Sequence, residues 1–243
     1  MKKTILILGA LLLTISTANA QWWKNDRIKG NGEMTTQNRS VSNYDKVSLV
    51  GFMDVELISG KEGALTVEAE SNLQEYITTE VNDGVLKISV KKGVSLSPSR
   101  NRGIKVIVPF EEIEGVSITG SGDIWSSDQI KAESFKCSLT GSGNLKLNLN
   151  VRDLKSTITG SGNTELRGTA ENFSCTVTGS GDLGAFNLRV SKADVSISGS
   201  GDVEVTATEE LKARVSGSGD IKYNGNPKKQ DFKTSGSGSI SSN

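Results

Sequence analysis

The side chains with the most chemistry to offer are carboxylates held at a fixed offset from a glycine triplet. Gly-Ser-Gly begins at Gly120, Gly141, Gly160, Gly179, Gly199, Gly217 and Gly236, and six of the seven triplets are followed by Asp123, Asn144, Asn163, Asp182, Asp202 and Asp220. A row of oxygen ligands of this kind could hold Ca2+, as Gly-Gly-x-Gly-x-Asp repeats do, but those recur about every nine residues and these about every nineteen. Stacked Asp182, Asp202 and Asp220 could also form an acid/base set, since retaining glycosidases use carboxyl groups ~5 Å apart. Against both readings, Asp and Asn accept hydrogen bonds from local backbone N–H groups at tight turns. The residue also belongs to the grammar of the repeat, whereas a catalytic site should break it. No catalytic, metal or cofactor residue is assigned on this basis.

Other chemistries fail on composition or context. The chain has no histidine, which removes Ser-His-Asp and Cys-His nucleophile systems and imidazole-based zinc sites. Gly179-Ser180-Gly181-Asp182-Leu183-Gly184 matches the dinucleotide fingerprint, yet it is one copy of a repeated turn with no helix behind it. Cys137 and Cys175 occupy equivalent places two repeats apart, ~9.6 Å if repeats stack like strands, too far for a disulfide; buried free thiols are expected. Basic and acidic residues number 28 each and are interspersed, so the electrostatic footprint of a nucleic-acid binder is missing. Trp22, Trp23 and Trp125 are candidate contact residues.

The elements that position these residues follow from periodicity. Six, four and two places before each triplet stand Phe135, Cys137 and Leu139, then Leu154, Ser156 and Ile158, then Phe173, Cys175 and Val177, while the interleaved places carry Lys136, Ser138 and Thr140 or Lys155, Thr157 and Thr159. Period two means strands with one buried face. Triplet spacings of 21, 19, 19, 20, 18 and 19 residues mark a repeat fold. Antiparallel hairpins and a solenoid both suit such a unit. Recurrence of the same residue types at the same corners favours the solenoid, an all-β, right-handed parallel β-helix over 111–240. Glycine at a three-residue corner is expected for positive φ and for close approach of the neighbouring coil.

Residues 39–110 lack the triplet but remain strand-rich, with Asn82-Asp83-Gly84 a hairpin turn between Ile77–Val81 and Val85–Val90 and a short helical turn within 72–79. They are expected to form irregular coils that cap one end of the column. Residues 21–38 read as a mobile segment. At the N-terminus, Lys2, Lys3, an apolar run over Ile5–Ile15 and Ala18-Asn19-Ala20 read as a signal peptide over 1–20, and no membrane-length apolar stretch follows.

A family resemblance rests on an ordered set of short motifs: Tyr44-Asp45-Lys46-Val47, Gly51-Phe52-Met53-Asp54-Val55-Glu56-Leu57, Asn72-Leu73, Val81-Asn82-Asp83-Gly84-Val85-Leu86 and Ile118-Thr119-Gly120-Ser121-Gly122-Asp123. Together they resemble the putative auto-transporter adhesin, head GIN domain family, over about 40–239. The resemblance implies an exported β-helix-like domain of Bacteroidetes-type bacteria with an adhesive role and no catalytic residues. No alternating lipid-facing strands follow the repeats, so self-export as an auto-transporter is not expected.

The leading expectation is an exported, non-enzymatic, adhesin-like protein of the periplasm, outer surface or medium. It would present β-solenoid faces, including Lys136, Lys155 and Lys212, to a glycan or protein ligand. Two alternatives stand beside it: a carbohydrate-active β-helix enzyme, and a structural protein that forms homo-oligomers through its exposed strand ends.

Overall fold

The computed structural model describes residues 26–243, so the expected signal peptide and the Trp22-Trp23 pair lie outside the described residues. The chain begins with strands β1 (Asp26–Lys29) and β2 (Met34–Ser40). Strands β3 (Lys46–Gly51) and β4 (Asp54–Ser59) meet at a corner, and β5 (Ala64–Glu70) leads into a single 3-10 turn at Gln74–Tyr76, within the stretch read as a helical turn. Next come β6 (Ile77–Asn82) and β7 (Val85–Val90), an antiparallel pair closed by Asp83 and Gly84 at φ 49° and 72°. Positive φ at both central residues is the hairpin geometry whose twist matches that of the strands, which is why Asn-Asp-Gly stands there. Strands β8 (Val94–Ser97) and β9 (Lys105–Phe110) complete this part.

The expectation that 21–38 is mobile fails from Asp26 onward. β1 pairs in parallel with β8, and β2 pairs antiparallel with β5 from Met34↔Glu70 to Ser40↔Ala64. Polar groups hold the segment in place. The fully buried carboxylate of Glu70 accepts the backbone N–H groups of Gly32 and Ser99, and Asn72 Nδ2 donates to the Lys29 carbonyl at 2.8 Å.

The repeat region follows as β10 (Gly115–Gly120), β11 (Ile124–Ser126), β12 (Ile130–Gly141), β13 (Asn144–Gly160), β14 (Asn163–Gly179) and β15 (Leu183–Gly199). It ends with β16 (Val203–Gly217), β17 (Ile221–Asn224), β18 (Lys229–Gly236) and β19 (Ile240–Ser242). Each coil lies parallel to the next, with Gly120, Gly141, Gly160 and Gly179 in register and Gly199, Gly217 and Gly236 continuing the stack. The architecture is a β-solenoid. Parallel register excludes the hairpin alternative, in which neighbouring strands would run antiparallel.

One coil of the column comes from outside the triplet region. β3 lies parallel to β10 with Gly51↔Gly120, and β4 lies parallel to β11 with Val55↔Ile124. On their other side β3 pairs with β7 and β4 with β9, and antiparallel β6 and β5 lie beyond those two strands. The chain therefore leaves the column after β4, builds its end, and passes the β3–β4 coil to resume at β10.

The corner glycines are required by space and by backbone conformation together. Gly160 has φ 116°, and a Cβ there would run into the Gly141 carbonyl of the neighbouring coil; a Cβ on Gly162 would meet the Gly143 carbonyl. Inside, the strands bury columns such as Phe135, Leu154, Phe173, Ala193 and Leu211, all at 3 % exposure or less. Cys137, Ser156 and Cys175 form one such column, with both thiols free and Ser156 between them. The coil of β15 breaks the regularity, with register shifts against both neighbours. The 20- and 18-residue spacings on either side of Gly199 are the sequence trace of those bulges.

Candidate binding face

The Asp/Asn column is a run of backbone caps. Asp123 Oδ1 accepts both the backbone N–H of Asn144 at 2.8 Å and its side-chain Nδ2 at 2.9 Å, and Asn163 Nδ2 reaches Asn144 Oδ1 at 3.3 Å. Further along, Asp182 Oδ1 accepts Asp202 N–H, Asp202 Oδ1 accepts Asp220 N–H, and Asp220 Oδ1 accepts Ser239 N–H, each at 2.8 Å. Hydrogen bonds from the Ser239 hydroxyl and backbone hold the Asp220 carboxyl below the ordinary carboxylate range. Each carboxylate is thus engaged by the coil after it. Among the described residues no group of three or more His, Cys, Asp or Glu side chains is arranged to hold a metal ion.

Sequence reasoning missed the first member of this column. Asp54 follows Gly51-Phe52-Met53 as Asp123 follows Gly120-Ser121-Gly122, and its carboxyl is hydrogen-bonded by the Asp123 backbone. Burial, with the Asp123 charge second, nevertheless leaves Asp54 above its ordinary value. The usable signal was Gly51 itself, two places after Leu49 and four after Val47, the same offsets as in every triplet repeat.

A regular outward surface belongs to the strands that lead into the corners. Ser117, Ser138, Thr157, Thr176 and Ser196 share one register position, and Thr119, Thr140, Thr159, Thr178 and Ser198 share the next outward one. Short hydroxyl side chains repeat here at the ~4.8 Å spacing of paired strands. The expected lysine ladder is not continuous. Lys136 and Lys155 are neighbours, but Ser174 and Asp194 stand between Lys155 and Lys212 in the same column, and Lys212 pairs with Glu210 at 3.2 Å. The column is mixed in charge because the repeat specifies only that its side chain point outward.

Two open grooves flank that face. One, of ≈ 430 Å3, has Leu154, Phe173 and Ala193 along its floor and Lys155, Lys192 and Asp194 at its sides; the other, of ≈ 660 Å3, is polar, with Glu114, Glu133, Lys46 and Lys136 in its walls. Trp125 is engaged within the fold: the Lys105 ammonium sits 5.6 Å from its ring centre and bonds Glu56 at 2.6 Å. Gly179–Gly184, the dinucleotide-like run, is the corner between β14 and β15.

Comparison with known proteins agrees with this geometry. The profile described as "Putative auto-transporter adhesin, head GIN domain" matches residues 43–227. A crystal structure of a putative adhesin from Bacteroides fragilis is similar at 25 % identity, covering 89 % of this chain and 100 % of that one with a TM-score of 0.84. A putative lipid binding protein from Parabacteroides distasonis is 30 % identical over 90 % of this chain and 100 % of its own, with a TM-score of 0.73. A putative adhesin from Parabacteroides merdae, at 23 % identity, 90 % and 99 % coverage and a TM-score of 0.68, shares the fold. None of the curated proteins matches the chain significantly. With its profile match spanning most of the solenoid and its corners in register throughout, the chain belongs to the putative auto-transporter adhesin, head GIN domain family.

Proposed function

We propose that the protein is an exported, non-enzymatic, adhesin-like module that binds a glycan or protein of the cell surroundings through the hydroxyl face of β12–β15. The observation that carries this reading is the pair of unbroken Ser/Thr columns through Thr157 and Thr159. A rigid array of short donors and acceptors suits a repetitive or extended partner, because the binder loses little side-chain entropy on contact. The recurring carboxylates support the non-enzymatic part, since they are engaged in capping backbone N–H groups. Family membership supports export, and among the described residues no helix is long and apolar enough to cross a membrane.

A glycan array and a pull-down from surface extracts test the reading, with Thr157→Glu/Thr176→Glu as the face variant. Retention by wild type and loss by a variant of unchanged melting temperature is the expected result; equal retention places binding elsewhere. Release of reducing ends from polysaccharide would overturn the non-enzymatic reading.

The name of the Parabacteroides distasonis relative suggests a second reading, lipid binding. The groove over Leu154, Phe173 and Ala193, with Lys155 and Lys192 beside it, is where an amphiphile would lie. Co-sedimentation with anionic lipid vesicles, lost on Lys155→Glu/Lys192→Glu with the melting temperature unchanged, separates it from the first.

A further inference from the structure

The two ends of the column differ. At one end β7 and β9 are followed by antiparallel β6 and β5; at the other, β18 pairs only with β16 and β19 only with β17, and no described strand lies beyond them. An uncovered strand edge is a template for pairing. The direction of its free groups follows from the register. Lys136 donates its N–H back to the preceding coil, at Glu114, and Asp231 occupies the same column five coils on. Ser237 also donates backward, to Gly217. Residues alternate along a strand, so Gln230, Phe232 and Thr234 turn their N–H and carbonyl groups toward the open edge.

The charges beside Phe232 are self-complementary. Asp231 and Lys233 flank it on the outward face, while Phe232 packs against the core and against Tyr223, with ring centres 5.4 Å apart. If a second β18 lies antiparallel with Phe232 opposite its own copy, Asp231 faces Lys233 of the other protomer on both sides. Phe232 is then a hydrogen-bonded pair, the kind its free N–H and carbonyl can make. Backbone direction permits this register, and charge selects it among the registers that set outward-facing residues opposite one another. Lysines on an edge can discourage pairing, but here each has a carboxylate opposite it.

The geometry points to a tail-to-tail homodimer in which the β18 edges of two chains pair antiparallel about Phe232. Such a contact uses the same surface on both partners and closes on a two-fold axis. Because each chain offers the same β18 edge and uses it up in the contact, this interface closes at two chains and does not itself propagate a filament. The dimer is independent of what the hydroxyl face binds.

Sedimentation velocity over a concentration series tests it, on wild type, Asp231→Lys and Asp231→Lys/Lys233→Asp. Wild type should show a monomer–dimer equilibrium. Asp231→Lys sets lysine against lysine and should weaken it by about tenfold or more, and the double variant, which restores opposite charges, should recover it. The Arg214–Asp231 ion pair at 2.8 Å is lost in both variants, so recovery reports the interface and not the fold. A monomer at every concentration, a dimer indifferent to Asp231→Lys, or no recovery in the double variant overturns the proposal.

Discussion

Asp202 Oδ1 accepts the backbone N–H of Asp220, eighteen residues later, at 2.8 Å. The bond ties one corner to the next and gives the carboxylate a task that needs no metal. Asp202→Ala should cost about 1 kcal/mol and Asp202→Asn less, because an amide oxygen can accept the same N–H. Adding Ca2+ should leave the melting temperature unchanged. A rise of several degrees that disappears in Asp202→Ala would reinstate the cation reading.

The triplet's two residue types should respond very differently to substitution. Gly160 needs positive φ and has the Gly141 carbonyl where a side chain would go, so Gly160→Val should destabilise by at least about 2 kcal/mol. Ser161 is exposed, and Ser161→Ala should stay within about 0.5 kcal/mol. Urea denaturation of the two variants checks this, and equal midpoints would refute the stacked-corner account.

Burial governs the thiols. Desolvation pushes Cys137 up to about 11 despite the neighbouring Ser156 hydroxyl, and desolvation, followed by Cys137, raises Cys175 further. At pH 8 neither should react with a soluble alkylating reagent until denaturant is added, when both should. Ser156 between them keeps them from bridging. Rapid labelling of the native protein, or a disulfide in the purified protein, would contradict the column.

The repeat was legible because its constraint is local: each Gly-Ser-Gly needs φ > 0 and close approach within its own three residues, and period-two burial is written beside it. Asn82-Asp83-Gly84 was legible for the same reason. The β3–β4 coil hid its place because its partner, β10, is 69 residues downstream by the Gly51↔Gly120 register and its corner reads Gly-Phe-Met. The N-terminal strands were misread because their order comes from Glu70 and Asn72, whose polar side chains look like loop residues until their partners are known. The face through Thr157 and Thr159 was visible as polar alternation, but its two-dimensional regularity depends on inter-coil register.

Glu70 supplies the pH dependence of the N-terminal strands. Burial alone would raise its pKa, but the Ser99 hydroxyl and N–H, the Gly32 N–H and the Arg102 charge outweigh it, so the carboxyl titrates below its ordinary 4.5. A carboxyl depressed in the folded state contributes stability that is present above its unfolded pKa and is lost as pH falls through the folded one. Protection of the Gly32 and Ser99 amides, taken relative to their intrinsic exchange rates at each pH, should therefore be high at neutral pH and fall below about pH 4.5. In Glu70→Gln the amide oxygen can accept one of these N–H groups while its NH2 faces the other, at a cost of about 1–3 kcal/mol. Protection there should already be low at pH 7 and should lose its acid dependence. Protection at Gly32 and Ser99 that is the same in wild type and Glu70→Gln would show that β1 and β2 are held by β8 and β5 alone.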